Sequence, residues 1–190
     1  ALGFGKRKAA GMTAITLLDG GMGQELVHRA GDRPTPLWST QVMIDHPGLV
    51  EAVHADYFAA GATVATTNTY AIHRDRLSGT GMSDRFEGLH RLALEAATEA
   101  RAAHGSGRIA GSIGPLRASY RPDLHPASEV ARPLFAEVAT ILAQGCDLLI
   151  IETAVSLDHV ADALAGAEAA GLPVWLAVSV NDHDGTRLRS

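Results

Sequence analysis

Cysteine is almost missing from this sequence: Cys146 stands alone in 190 residues. One cysteine excludes an intramolecular disulfide framework, and with no signal-peptide pattern it points to a reducing compartment, the cytoplasm. Lysine is scarcer than its abundance in proteins would suggest, since Lys6 and Lys8, both in the opening ALGFGKRKAAG, are the only ones. A Schiff-base aldolase, a pyridoxal-phosphate enzyme or a P-loop NTPase needs a lysine at a strand end or helix start, so the chain is none of these by itself. Basic charge is also short. A net charge of −5 and a pI near 6.0 leave no broad basic surface for nucleic acid. The longest apolar runs, such as Leu148 to Ile151, fall far below the roughly 20 residues that cross a bilayer, so no membrane span is expected. Nine histidines are present, but no His-x-x-x-His pair or Cys/His cluster has metal-ligand spacing, and a zinc site made within the chain is not expected.

Aromatics make up only 5% while alanine is abundant, which favours helices packed closely on a sheet over an aromatic-rich sandwich. With 46% apolar and 19% charged residues, one globular domain is the expectation. Residues 1–11 are small, basic and aperiodic and read as a tag or disordered tail, leaving 12–190 as the folded domain. Short aliphatic runs at 15–18, 62–67, 108–112, 147–152 and 174–180 have the continuous apolar character of parallel strands buried on both faces. Helical periods alternate with them. Residues 47–60 carry a stripe of Leu49, Val50, Val53, Tyr57 and Phe58 and stop at Gly61. Over 84–104 the stripe is Phe86, Leu89, Ala93, Ala96 and Ala100, with Ser83 as N-cap and Gly105 as stop. Residues 128–144 place Leu134, Val138, Ile141 and Leu142 inward, with Pro133 near a helix start or at a kink. Residues 156–170 point Leu157, Val160, Ala161 and Leu164 inward and end at Gly171 and Pro173. Five βα units fit either an open doubly wound sheet or an unfinished eight-stranded barrel. Polar or glycine clusters at nearly every strand's C-terminal end favour the barrel, whose site is assembled from several strand ends.

Three of those clusters could carry chemistry. In LLDGGMGQEL at 17–26 a strand ends in Asp19 and then bare backbone, and Gly20 and Gly21 would let a ligand reach amides able to hold a carboxylate or phosphate. A tight turn with a solvated aspartate explains the same spacing. Glu152 closes the apolar run Leu148 to Ile151, so it is expected to be buried and to need a cationic or hydrogen-bonding partner. A substrate ammonium group or one of the arginines would serve. In Thr66-Thr67-Asn68-Thr69-Tyr70, β-propensity accounts for the threonines but not for Asn68, which is the residue expected to line a site. His28, His54, His90, His104 and His159 fall on helical patterns as surface or packing residues, His183 in a solvated loop, and Cys146 at a strand start as a small buried residue.

At these residues the sequence resembles the homocysteine S-methyltransferase family, which includes betaine-, S-methylmethionine- and folate-linked enzymes. The resemblance rests on LLDGGMGQEL at 17–26, VHADYFAAGATVATTNTY at 53–70, GSIGP at 111–115 and DLLIIET at 147–153, in that order. It implies an α/β chain with the (β/α)8 TIM-barrel fold, of which about five βα units are present. It also implies a zinc cofactor, held by three cysteines, which binds the homocysteine thiol as thiolate before the methyl group of an activated donor is transferred. By the same resemblance Asp19 and Glu152 bind the amino-acid end of homocysteine, amides near Gly20 and Gly21 assist, and Asn68 lines the site. The family's zinc cysteines follow the sixth and eighth strands and would lie beyond Ser190; Cys146 matches none of them. The expected partners are small molecules, homocysteine and a methyl donor. Two other readings stand beside this one: a fragment or pseudo-enzyme that binds an amino acid without methyl transfer, and a lyase or hydrolase using Asp19 and Glu152 as an acid/base pair.

Overall fold

In the computed structural model, which describes residues 15–31 and 37–189, the apolar runs lie side by side in the order in which the chain presents them. Strands β1 (Val64–Thr66), β2 (Arg108–Ile113), β3 (Leu148–Ala154) and β4 (Val174–Val178) form a parallel sheet ordered β1-β2-β3-β4. Each strand joins its predecessor and the order never reverses. An open doubly wound sheet reverses at a switch point, so this one-way winding is the barrel alternative.

The connections are helices stacked in the same order. Ahead of the strands come α1 (Met22–Ala30), α2 (Ser39–Asp45) and α3 (Leu49–Ala59). A short turn of helix, α4 (Arg74–Leu77), and then α5 (Phe86–His104) join β1 to β2; α6 (Ser128–Leu142) joins β2 to β3, and α7 (Leu157–Ala167) joins β3 to β4. Helix α3 packs on α5, α5 on α6 and α6 on α7, forming one outer layer.

Strand alternation then sorts the side chains. Ile109, Ile113, Leu149 and Ile151 face the helices and share the main core with Leu89, Phe135 and Leu142. Burying each such side chain contributes roughly 1.5–3 kcal/mol. Val64, Ala110, Leu148 and Ile150 face the other way and pack with Trp175 as the barrel interior. Continuing the period of two along the strands puts Thr66, Ser112 and Glu152 on that interior face, at the C-terminal ends. The site follows from this placement.

Several expectations need correction. The run at 15–18 is not a regular strand: it touches the sheet through one bridge, Leu18 to Val64, flanked by Asp19 N–H to Val64 O at 3.1 Å and Thr63 N–H to Leu17 O at 2.8 Å. It still occupies the strand position beside β1. Ser83 does not cap α5; it lies in a separate 3-10 turn, and its hydroxyl donates to Leu77 O at 3.3 Å. The inward face of α7 is also different. Leu157 is 75% exposed and Leu164 37%, whereas His159, Asp162, Ala163, Gly166 and Ala167 are buried. The Ser156 hydroxyl caps the helix by accepting from His159 N–H at 3.2 Å, and Gly166 lets α7 approach Phe135 of α6 more closely than any Cβ would permit. Pro133 sits inside a continuous α6. The reading of residues 1–11 as a tail lies outside the described residues.

Candidate functional site

A pocket of about 630 Å³ opens at the C-terminal ends of the strands, lined among others by Asp19, Gly20, Gly21, Asn68 and Glu152. All five sequence-proposed residues therefore meet at one place. A volume of this order suits one or two small molecules.

Asp19 is held from β1. Thr66 N–H donates to Asp19 Oδ2 at 2.6 Å and the Thr66 hydroxyl to Oδ1 at 2.7 Å, so both carboxylate oxygens are fixed. Glu152 is held from β2, by the Ser112 hydroxyl donating to Oε1 at 2.6 Å. Ser112 is itself locked. Its N–H donates to Thr67 Oγ1 at 3.0 Å, and its carbonyl accepts the Thr69 hydroxyl at 2.7 Å. Since Thr69 donates there, the Thr67 hydroxyl must be the donor in the 2.7 Å contact between the two threonines. The Thr-rich segment thus braces both carboxylates through backbone and hydroxyls. Beyond Ile151 the β3–β4 register slips before Ala154, and within that irregularity Thr153 has φ 57°, a left-handed value rare for a β-branched residue. The slip re-aims the chain next to Glu152.

Neither carboxylate has a cationic side chain within ion-pair distance among the described residues. Burial pushes the Asp19 carboxyl above its ordinary range, outweighing the Thr66 hydrogen bonds that pull it down. Burial likewise raises Glu152; the Ser112 hydrogen bond opposes the rise, and the Asp19 charge adds to it. Two hydrogen-bonded carboxylates that repel each other, in partial exclusion from water, form a receptor for a cation.

The glycines lie where α1 begins. A Cβ on Gly20 would sit 2.7 Å from the Tyr57 ring, so the close approach of α3 demands glycine there. Gly21 precedes the first turn of α1 with no side-chain cap, and residues 20–24, which hold that turn's N–H groups, line the pocket. Asn68 is buried, and its amide donates to Ser39 O at 3.1 Å, tying the β1 end to the start of α2. It lines the pocket while bracing it.

Sequence reasoning passed over several lining residues. Thr66 and Ser112 look like ordinary strand residues until the sheet brings them to carboxylates 47 and 40 positions away. Trp38 and Tyr70 meet edge-on with centroids 6.5 Å apart, and Tyr120 and Arg76 complete much of the remaining wall. Trp38, Tyr120 and Thr153 have positive φ and all line the pocket. Left-handed backbone at non-glycine residues costs about 1–3 kcal/mol each, and such strain collects at functional sites.

No group of three or more His, Cys, Asp or Glu among the described residues could hold a metal ion. Cys146 lies on the helix side of the sheet, with burial pushing its thiol up to about 12, the reverse of what a metal ligand needs. The buried histidines His54, His90 and His159 are packing residues, and His183 is exposed, as the sequence suggested. Among the described residues no helix is long and apolar enough to cross a membrane.

Fold and site together define a (β/α)-barrel protein with a pocket at its strand ends, walled by two carboxylates that have no cationic partner among the described residues. Comparison with known proteins gives this class a family: residues 16–190 match the model of the homocysteine S-methyltransferase family, and the chain belongs to it. The homocysteine S-methyltransferase of Escherichia coli K12 is 32% identical, covering 92% of this chain and 63% of its own length. Homocysteine S-methyltransferase YbgG of Bacillus subtilis is 30% identical over 73% of this chain and 50% of its own. The chain therefore spans about two thirds or less of these relatives. The crystal structure of the metallated form of the E. coli homocysteine methyltransferase MmuM superposes with a TM-score of 0.79 at 28% identity, covering 92% of this chain and 66% of that one. The α/β fold is that of this TIM barrel, with the described βα units forming part of it.

Proposed function

We propose that the protein binds homocysteine at the strand-end pocket and acts in transferring a methyl group from an activated donor to its thiol, giving methionine. The carrying observation is the pair Asp19 and Glu152, both hydrogen-bonded in place, both raised by burial and neither paired with a cation among the described residues. An incoming ammonium group supplies the missing charge and draws both carboxyls back toward their ionised form. The N–H groups at the start of α1 donate to the carboxylate of the same amino acid, which orients the thiol away from that end and into the pocket. Fixing the acceptor before the donor arrives turns a bimolecular encounter into a positioned one.

The zinc that the family resemblance implies would supply the thiolate at neutral pH, since a free thiol has a pKa of about 8.5. The described residues do not form its ligand set. The setting proposed is cytoplasmic, with small-molecule partners.

Calorimetric titration of the protein with L-homocysteine and with 4-mercaptobutyrate, which lacks the amine, tests the reading. Homocysteine should bind and the amine-free thiol should not. Equal binding of the two, or no binding of homocysteine, sinks it. Methionine formation from S-methylmethionine or betaine then separates a transferase from a protein that only binds the amino acid.

A further inference from the structure

Phe135, fully buried in the middle of α6, is surrounded by histidine rings from three other parts of the chain. His73, just before α4, meets it edge-on at 5.9 Å; His125, in the connection after β2, stacks at 6.3 Å; and His159 of α7 stacks at 5.8 Å. His125 and His159 lie 5.6 Å apart, and His90 of α5 is near enough for its charge to act on His73. His73, His90 and His159 are all buried, and the proposed function uses none of them.

Few charged groups face this cluster. Arg76 comes from α4, Arg132 from α6 and Asp162 from α7. Arg74 and Glu137 face His90 and are paired with each other at 2.6 Å, while Asp75 is turned to the Arg117 backbone. Asp162 is the one acid whose charge acts on His159, and both of its oxygens are engaged, Oδ1 by Arg132 and Oδ2 by His125 and Ser128. His159 Nε2 has no hydrogen-bond partner among the described residues, and neither has either ring nitrogen of His73. The Gly114 backbone favours the His73 cation but lies outside hydrogen-bond geometry. A proton added to either ring therefore needs water, since an unpaired buried charge is costly. The packing leaves water no room: Gly166 of α7 lies so close to α6 that a Cβ would collide with Phe135 and the Arg132 carbonyl.

We propose that the histidines around Phe135 form an acid-sensitive latch, closing α7 onto α6 while neutral and forcing α7 off α6 when His73 and His159 take up protons, before the rest of the sheet opens. Helix α7 begins just beyond the strand end that carries Glu152, so the latch also sets how firmly that end of β3 is held. The inference stands on the packing of α4, α6 and α7 and does not depend on the methyltransferase reading.

The open form binds protons that the closed form refuses. Once wetted, a histidine titrates near its ordinary value of about 6.5. Burial holds His159 down at about 4, with the His125 charge adding to the effect, and His73 at about 3, with Arg76 adding. The latch is thus fully closed above about 6.5 and is lost as the pH falls toward about 4, each histidine favouring opening by about 20-fold between pH 7 and pH 5. The shifted carboxyls do not imitate this. Asp19 and Glu152, being raised, gain stability on acidification, and Asp162, being lowered, keeps its full contribution above the ordinary carboxyl value of 3.8.

The test is hydrogen–deuterium exchange of the full chain from pH 7 to pH 5, read by mass spectrometry and corrected for the intrinsic pH dependence of exchange. Amides of 153–167 should lose protection by about 20-fold or more while those of β2 keep theirs. His159→Phe keeps a ring against Phe135 but cannot titrate, and it should reduce that loss by about 20-fold. His159→Leu carries the same test if the phenylalanine variant does not fold. His54→Phe is the control, at a buried histidine of α3 that burial also holds down at about 4, and it should leave the α7 profile as in wild type. The latch is overturned if α7 protection is flat across this range, or if α7 and β2 lose protection together. It is equally overturned if the His159 variant keeps the wild-type slope, or if His54→Phe flattens the α7 profile as much. None of these readings involves homocysteine, so they decide the latch whether or not homocysteine binds.

Discussion

Glu152 and Asp162 lie on consecutive elements, β3 and α7, and both are withdrawn from water, but their surroundings differ in one decisive respect. Asp162, with a side chain only 2% exposed, meets Arg132 Nε at 2.8 Å, His125 Nε2 at 3.1 Å and the Ser128 hydroxyl at 3.1 Å. Burial works to raise its carboxyl, but these donors outweigh burial and hold it below the usual range. Glu152 receives one hydroxyl and no cation among the described residues, and its carboxyl is raised. The first arrangement is complete as it stands and fastens α7 to α6. The second is unfinished. A protein pays for an uncompensated buried charge only where something else completes it, which makes the difference between the two carboxylates the best pointer to function in the molecule.

The sharpest way to break this comparison is to neutralise each side. Glu152→Gln or Asp19→Asn should weaken homocysteine binding by about 100-fold or more, as loss of one partner of a desolvated charge pair does. Calorimetry reads the affinity. A carboxyl whose folded pKa is raised adds stability below its unfolded value and loses it as pH rises through the folded one. Glu152→Gln should therefore melt no lower than wild type at neutral pH. Asp162→Asn should do the opposite, costing about 1–3 kcal/mol in chemical denaturation while homocysteine affinity is kept. If Asp162→Asn abolishes binding and leaves stability intact, the assignment of structural and functional carboxylates is wrong.

Titration sharpens the same contrast. Homocysteine affinity should fall with decreasing pH, by up to about tenfold per unit, once the pH drops through the raised carboxyl pKa values. Asp162 stays ionised over that range because its own value is lowered. Affinity measured across the acid range checks this, and a flat profile would mean that the carboxylates do not hold the amine. The smallest effect is expected for Ser112→Ala. Removing the hydrogen bond that lowers Glu152 should cost about 1 kcal/mol of binding and move the acid limb of the profile to higher pH.

Much of the fold could be read from the sequence, and the failures have identifiable causes. Runs at 62–67, 108–112 and 147–152 are strands because both of their faces are buried, and a continuous apolar run records that directly. Gly105 and Gly171, with φ of 83° and 63°, end helical segments as read. Among the described residues the run at 15–18 pairs with β1 alone, and its residues are exposed, so apolar character alone overstated its regularity. The α7 face was misread because an amphipathic pattern assumes that polar residues face water. His159 and Asp162 instead face α6, where Phe135 stacks on His159 at 5.8 Å and Arg132 meets the carboxylate.

The sequence by itself determined the alternation of strands and helices, the glycine stops, and the placing of Asp19, Gly20, Gly21 and Glu152 at strand ends. All of these are local consequences of side-chain shape, backbone freedom and period. Only the tertiary structure decided which carboxylate has a cation and which does not. It brought Thr66 to Asp19, Ser112 to Glu152 and Arg132 to Asp162 through parallel pairing and helix packing. The physical reason is that a carboxylate's state depends on groups within a few ångströms, and in a barrel those groups arrive from neighbouring βα units rather than from neighbouring residues.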